Sequence, residues 1–373
     1  MYKRILVTGA KGFIGKNLVS ELRNRKVFEI LEYDKDSTPG ELTDFVDKCD
    51  FVYHLAGINR PEKTEEFKTG NVDFTTLLLE TIRSEGRQVP VIFASSTQAT
   101  LDNPYGASKL NAERLLETFS EETGTPVITF RLPNVFGKWC RPSYNSVVAT
   151  FCHKIARDLP VDIHDPNKIL KLVYIDDVIK AFTDYLADQA MVPGYRLITD
   201  IEPVYTVRLS QLSDMLKSFR ASRESRSIPD MSDQFTKKLY STYLSYLPED
   251  QFNYSLKMNT DARGSFTEFI KTDNCGQISI NVSRPGIVKG NHWHHTKLEK
   301  FLVVSGIGKI RFRKLGTPEI IEYTVSGEKL EVIDIPVGYT HSIENTGSTE
   351  MITIIWSSEI YDPDKPDTYP EEV

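Results

Sequence analysis

The chain has 373 residues, 40% of them hydrophobic and 26% charged, so it can bury large cores and is expected to divide into two or three domains. A net charge of −7 leaves no surplus of Lys and Arg to neutralise phosphates, which argues against nucleic-acid and anionic-membrane partners. Cys49, Cys140, Cys152 and Cys275 form no C-x-x-C pair and no run of about 18 apolar residues occurs, so a cytoplasmic protein without a membrane span is expected.

From Lys3 to about Val173, short β-branched runs alternate with stretches of helical period. KRILVTG precedes a helix predicted over 13–25, VFEILEYD one over 41–48, and FVYHLAG and VIFASS one over 104–122, after which VITFRLP reads as a further strand. The alternation predicts βαβ units on a parallel sheet buried on both faces. After Thr206 the pattern is helical and charged, with no strand expected until Phe266. A boundary is expected within 241–254, giving domains 1–245 and 246–373. Beyond it SFTEFIKT, GQISINVSR, KFLVVSG, GKIRFRKL, EIIEYTVSG, KLEVIDIPVG and EMITIIWSS are separated by Gly, Pro and Asn turns. This texture predicts an antiparallel barrel or double-sheet jelly roll. The acidic, Pro-containing stretch DPDKPDTYPEEV is expected to fray.

Directly after the first strand stands Thr8-Gly9-Ala10-Lys11-Gly12-Phe13-Ile14-Gly15, with a helix opening at its end. Glycines there permit a tight turn and close approach to a pyrophosphate, and the helix N-terminus offers unpaired N–H groups to the anion. Tyr105 and Lys109, in NPYGASK, are four apart and share one helical face. The ammonium is therefore expected to lower the phenol's pKa and let it exchange a proton with a carbonyl or hydroxyl oxygen, which Ser96 can also hydrogen-bond. Asp34 closes the second strand, where a carboxylate accepts from a ribose 2′-OH and favours NAD; Lys11 and Lys35 favour NADP instead.

The succession of Gly-rich turn, His54-Leu55-Ala56-Gly57, Asn71-Val72, Ser96, Tyr105, Lys109, RLPNVFG (131–137) and VYIDDV (173–178) resembles the extended short-chain dehydrogenase/reductase family over roughly residues 1–240. The resemblance implies a Rossmann-like doubly wound sheet with Ser96, Tyr105 and Lys109 as catalytic trio. It also places Gly9, Lys11, Gly12, Phe13, Ile14, Gly15, Asp34, Leu55, Ala56, Gly57, Asn71, Tyr105 and Lys109 on a nicotinamide cofactor, and Asn134 on a sugar-nucleotide diphosphate. NADP(H) is the expected cofactor, with NAD left open. Only nine positions separate Ser96 from Tyr105, a short connection that leaves the sugar site open.

In the last third, Gly286-x5-His292-x-His294-x4-Glu299-x6-Gly306 and Pro336-x-Gly338-x-x-His341-x-x-x-Asn345 resemble the two cupin motifs. His292 and His294 project to one face of a strand, with Glu299 and His341 expected from neighbouring strands. Three imidazoles and a carboxylate suit Zn²⁺, or another divalent transition ion such as Fe or Ni; hydrogen-bonded histidines without an ion are the alternative. His295 is expected to point outward. Asp261-Ala262-Arg263-Gly264-Ser265-Phe266-Thr267-Glu268-Phe269, with Gln277, Asn281, Ser283 and GIVKGNH (286–292), resembles the nucleotide-deoxysugar 3,5-epimerases. That implies substrate contacts for Arg263, Glu268 and Lys289, with Arg263 on the diphosphate, and sets His292 at the position of the base. A metal-bound histidine cannot also be a free base, and residues 350–356 lack the tyrosine acid of that family, so a metal-assisted enolisation at one carbon is expected instead.

Taken together, the halves resemble the bifunctional capsular-polysaccharide enzymes of UDP-N-acetyl-L-fucosamine biosynthesis, which are homodimers. The resemblance implies C3 epimerisation of UDP-2-acetamido-2,6-dideoxy-β-L-arabino-4-hexulose by the cupin and NADPH reduction of the 4-keto group to UDP-N-acetyl-L-talosamine by the first domain. The alternative is a 4-epimerase or dehydratase carrying a non-catalytic cupin for dimerisation or sugar sensing. A dehydratase would carry an acidic pair after Ser96, where this chain has Thr97-Gln98.

Overall fold

The protein is described here by a computed structural model that covers residues 3–186 and 191–373. Two compact units emerge, Met1–Lys217 with Lys238–Pro248, and Ser218–Lys237 with Glu249–Val373. Sequence suggested one cut after residue 245; in the structure the stretch Ser218–Lys237 groups with the β-rich unit. Its backbone explains this, since Ile228 N donates to Lys271 O at 2.8 Å and Lys271 N to Arg226 O at 2.9 Å, while Arg226 pairs with Glu268 at 2.8 Å.

The first unit contains strands Arg4–Thr8 (β1), Glu29–Tyr33 (β2), Phe51–His54 (β3), Val91–Ser96 (β4), Val127–Leu132 (β5), Asn134–Phe136 (β6), Ile169–Tyr174 (β7), Tyr195–Ile198 (β8) and Tyr205–Arg208 (β9). Helices Phe13–Asn24 (α1), Pro39–Lys48 (α2), Phe74–Ser84 (α3), Pro104–Thr123 (α4), Val147–Ile155 (α5) and Ile175–Thr183 (α6) intervene, and Leu209–Ser225 (α7) and Gln234–Leu244 (α8) follow. The parallel sheet runs β2-β1-β3-β4-β5-β8, and the small sheet β6-β7-β9 stands apart from it. The central strands β3 and β4 are buried almost throughout, as apolar runs covered on both faces must be. On one face Leu42, Val46, Leu78, Ile82, Leu116 and Phe119 from α2, α3 and α4 pack on Leu6, Val52 and Phe93. Helix starts follow local chemistry. Thr38 and Glu41 form a capping box on α2, while Asn103 Oδ1 accepts from Gly106 N at 2.8 Å and Pro104 opens α4.

The second unit comprises Asn259–Asp261 (β10), Gly264–Thr272 (β11), Gly276–Ser283 (β12), Val288–Trp293 (β13), Glu299–Ser305 (β14), Ile307–Lys314 (β15), Ile320–Ser326 (β16), Val332–Ile335 (β17), Tyr339–Asn345 (β18), Met351–Ser357 (β19) and Tyr369–Pro370 (β20). They form two sheets, β10-β11-β12-β19-β14-β17 and β16-β15-β18-β13-β20, whose strand pairs are antiparallel. Phe301, Val303, Ile335 and Met351 from the first meet Ile310, Phe312, Val325 and Ile343 from the second in one apolar core. The stretch expected to fray is instead tied down. β20 pairs with β13, Arg313 pairs with Glu371 at 2.9 Å, and Thr340 Oγ1 donates to Glu371 O at 2.5 Å. Composition was outweighed there by main-chain pairing. No described helix is long and apolar enough to cross a membrane.

Candidate active sites

The first site forms where β1 turns into α1. Gly9 has φ +70°, and a Cβ on Gly15 would lie 2.1 Å from Gly9 O and 2.8 Å from Ala10 Cα, so only bare main chain fits this turn. Among the described residues no side chain caps α1, which leaves the first-turn N–H groups of Phe13, Ile14 and Gly15 without intrahelical acceptors and able to receive an anion. These features fit a dinucleotide. Gly15→Ala is expected to displace the turn and weaken dinucleotide binding by at least about tenfold, read by calorimetric titration, with the fold retained by circular dichroism.

Asp34 accepts Lys11 N on Oδ2 at 2.7 Å and Lys35 N on Oδ1 at 2.8 Å, while the Lys11 ammonium pairs with Asp36, a partner the sequence reading missed. Beneath HLAG, His54 bridges Thr8 Oγ1 at 2.9 Å and Thr75 Oγ1 at 2.8 Å, and burial pushes its pKa down to about 3. It is a neutral strut between β1, β3 and α3. Gly57 passes close to Asn71 and Lys109, where a Cβ would lie 2.8 Å from Asn71 Oδ1 and 3.1 Å from Lys109 Nζ.

Ser96 ends β4, and Tyr105 and Lys109 occupy the first turns of α4. Tyr105 packs on Phe67 with ring centroids 5.7 Å apart, and Ser96 Oγ accepts Gln98 N at 3.2 Å. The expected lowering of the phenol pKa by Lys109 is not what the structure shows. Burial raises Tyr105 above its ordinary value, opposed by the Ser96 hydroxyl. Lys109 Nζ instead donates to Ala94 O at 3.0 Å, sits 4.8 Å from the Phe93 ring centroid, and is itself pushed down to about 8 by burial. A neutral, half-buried phenol is a proton donor, the role a carbonyl reduction needs. Asn71 Nδ2 donates to Ser108 Oγ at 2.9 Å, and Ser108 Oγ to Tyr105 O at 2.8 Å, which fixes the start of α4. Sequence reasoning missed Glu113, which accepts Ser95 Oγ at 2.5 Å, binds Arg131 at 2.6 Å and raises the Lys109 pKa against burial. Its spacing of four from Lys109 was the available signal. Asn134 opens β6, exposed, with Nδ2 3.5 Å from Lys171 O.

The second site lies within the β unit. One ligand atom from each of His292, His294, Glu299 and His341 falls within 4.8 Å of the others. Among the described residues His341 Nδ1 and Nε2 and His294 Nε2 are buried without a hydrogen-bond partner, and Glu299 Oε2 stands 3.3 Å from His294 Nε2 and 3.5 Å from His341 Nε2. Unpaired buried imidazole nitrogens around a carboxylate are the arrangement a divalent ion completes, so the donor set fits one. Glu299 is held well below the usual carboxylate range by its contacts to His294 and His341 against the cost of burial, and burial pushes His292 down to about 4. The expected geometry needs two corrections. His341 faces His292 across the β13–β18 pair, but Glu299 comes from β14 of the other sheet, and His294 lies just past the end of β13. His295 is exposed against Trp293 and Tyr369, as alternation suggested.

A register shift between Gly290 and His292 inserts Asn291, at φ +58°, into β13. The bulge resets the alternation, so Lys289 and His292 reach the same interior despite their odd spacing. Lys289 Nζ donates to Asn281 Oδ1 at 2.7 Å and to Val282 O at 2.9 Å. With Asn259, Asp261, Arg263, Ser265 and Asn281 it lines a cavity of about 500 Å³; the four clustered donors are not among its lining residues. Arg263 is paired with Asp261 at 2.7 Å. Glu268 is not brought to this cavity, because Arg226 at 2.8 Å and Lys271 at 3.0 Å hold it. Asn345, the last residue of the second motif, is structural, donating to Ser283 O and Thr349 O at 2.8 Å each.

Residues 5–197 match the NAD dependent epimerase/dehydratase family, more than half of the chain. The chain belongs to that family. As a member it is an enzyme of oxidoreductase or epimerase type, and residues 259–369 match a second family, the polysaccharide biosynthesis C-terminal domain. It is 45% identical over 366 residues, 98% of either chain, to UDP-2-acetamido-2,6-beta-L-arabino-hexul-4-ose reductase of Pseudomonas aeruginosa. The capsular polysaccharide assembling protein CapF of Staphylococcus aureus superposes with a TM-score of 0.92 at 51% identity, covering 99% of this chain and 100% of that one. CapF with the inhibitor 3-isopropenyl-tropolone gives 0.88 at 46% identity, covering 99% and 100%. The resemblance to two-domain capsular-polysaccharide enzymes read from the sequence is thereby borne out, as is the fold class.

Proposed function

We propose that this family member is bifunctional: the β unit epimerises carbon 3 of UDP-2-acetamido-2,6-dideoxy-β-L-arabino-4-hexulose, and the α/β unit reduces the 4-keto group with NADPH to UDP-N-acetyl-L-talosamine. The observation that carries it is the presence in one chain of Ser96 at the end of β4 with Tyr105 and Lys109 on the first turns of α4, a glycine turn fit for a dinucleotide, and a four-donor cluster inside a β unit. The near full-length likeness to a 4-keto-sugar reductase supports the substrate class.

Reduced nicotinamide, when bound, supplies the hydride that carbon 4 receives. Tyr105 gives its phenolic proton to the oxygen, so a C=O bond becomes a C–H and an O–H bond, and Ser96 holds that oxygen in line. Lys109, charged at neutral pH with a pKa near 8, supports the phenolate left on Tyr105. His292, His294, Glu299 and His341 would hold a divalent ion, Zn²⁺ by donor type, which when bound polarises a keto oxygen and acidifies the neighbouring C–H. Tropolones chelate divalent ions through adjacent oxygens, so an inhibitor of that class on CapF is consistent with such a centre. Arg263 and Lys289 are the cations that would take the diphosphate. Lys289 lies about 10 Å along β13 from His292, the order of a pyranose ring and one phosphate. Epimerisation precedes reduction, because the 4-ketone that acidifies carbon 3 is consumed by the second step. A cytoplasmic homodimer, with NADPH preferred over NADH, completes the proposal by resemblance.

Mixing the protein with the 4-keto sugar nucleotide and NADPH or NADH tests this. Loss of nicotinamide absorbance at one equivalent per sugar, with a product inverted at carbon 3, is the expected result. Turnover without reductant consumption would replace the reading with that of an epimerase or dehydratase that regenerates its own cofactor.

A further inference from the structure

The segment after Pro366, read from composition as frayed, grips one donor of the four-residue cluster. The main-chain oxygen of Asp367 lies 2.7 Å from His294 Nδ1. A carbonyl oxygen only accepts, so the ring must carry its proton on Nδ1 and present a lone pair on Nε2. That Nε2 faces Glu299 Oε2 at 3.3 Å and makes no hydrogen bond among the described residues. The Asp367 side chain meanwhile closes the loop that follows β13. Its Oδ1 accepts His295 N at 3.0 Å, and its Oδ2 accepts Thr296 N at 2.9 Å, Thr296 Oγ1 at 3.0 Å and Lys297 N at 2.9 Å. Lys297 returns its ammonium to Pro366 O at 3.3 Å and Thr368 Oγ1 at 2.7 Å, and Glu371 N donates to Asn291 O at 3.0 Å, so both flanks of Asp367 are anchored.

We propose that Asp367 is a positioning residue of the ion site: its carbonyl sets the tautomer and orientation of His294, and its carboxylate locks that carbonyl in place by binding the loop next to His294. The inference rests on the reading of His292, His294, Glu299 and His341 as an ion site. Outer partners of this kind govern how tightly a ligand imidazole holds its metal. Sequence offered no sign of it, since the partners are 73 residues apart.

Asp367→Gly removes the carboxylate while tolerating the φ of +34° at this position, and Asp367→Asn keeps the shape with a single acceptor oxygen. In the full chain loaded with Zn²⁺, Asp367→Gly is expected to release the ion to a chromophoric chelator roughly 10- to 100-fold faster than the unmodified protein, with Asp367→Asn between them. The Co²⁺-substituted forms should show visible bands displaced in the same order, a signature that loosened packing elsewhere would not give. Near-ultraviolet circular dichroism reads folding; if Asp367→Gly does not fold, Asp367→Asn decides alone on the same measurements. Folded variants that release Zn²⁺ at the unmodified rate with an unshifted Co²⁺ spectrum would overturn the inference. An unmodified chain that takes up no Zn²⁺ would instead overturn the ion-site reading, and this one with it.

Discussion

Replacing Tyr105 by Phe is expected to cut nicotinamide-linked reduction of the 4-keto sugar by about 10²- to 10⁴-fold in kcat, with a small change in KM. The hydroxyl is the only atom group removed, and the ring stays packed on Phe67. What is lost is the proton donor that becomes stronger than a ground-state hydrogen bond only as charge builds on the substrate oxygen, so the effect falls on the transition state. Ser96 still offers a hydroxyl to that oxygen, and this sets the residual rate. The decisive control is isotopic. In D₂O, deuterium uptake at carbon 3 should continue in Tyr105→Phe at the unmodified rate while reduction fails. Loss of both together would mean that a single centre performs both steps.

His341→Ala should give the opposite pattern, with carbon-3 exchange falling by at least about a hundredfold while a substrate already inverted at carbon 3 is still reduced. His341 is fully buried, and neither ring nitrogen has a hydrogen-bond partner among the described residues. In the ion-free protein it is therefore a cost, because a desolvated imidazole without partners is unfavourable. An ion at a hundredfold excess over its Kd would return about 2.7 kcal/mol of stability to the folded state. Calorimetry with and without chelator should thus show a falling Tm for the unmodified chain on ion removal and almost no change for His341→Ala. Equal responses from the two proteins would mean that the cluster holds no ion.

Legibility in the sequence tracked the distance over which each feature is encoded. The Gly9–Gly15 turn and the Tyr105–Lys109 pair are local: a strand-to-helix turn and an i,i+4 face are set by neighbours a few residues away. The histidine spacing was readable for the same reason, since His292 and His294 stand two residues apart at the end of β13. Which sheet supplies Glu299 was not, because that depends on how two sheets face each other. The bulge at Asn291 was equally hidden, and without it simple alternation would put Lys289 and His292 on opposite faces. The direction of the Tyr105 shift is not legible because a sequence shows charge spacing but not burial, and burial is what raises this phenol. Ser218–Lys237 reads as charged helix, and its pairing with Lys271 is invisible to composition.

The provenance of Glu299 has a mechanical side. His292 and His341 ride on one sheet, His294 follows the end of one of its strands and Glu299 belongs to the opposite sheet, so an ion held among them would be a rivet through the β unit. Sliding one sheet by a single pleat would carry the carboxylate away from the imidazoles without altering any donor. Phe301 and Phe312 flank the His341 ring at 5.9 and 6.4 Å and belong to different sheets. The girth of these two apolar side chains gauges the gap that the rivet must span, and so the tightness of the fastening is written partly in the core.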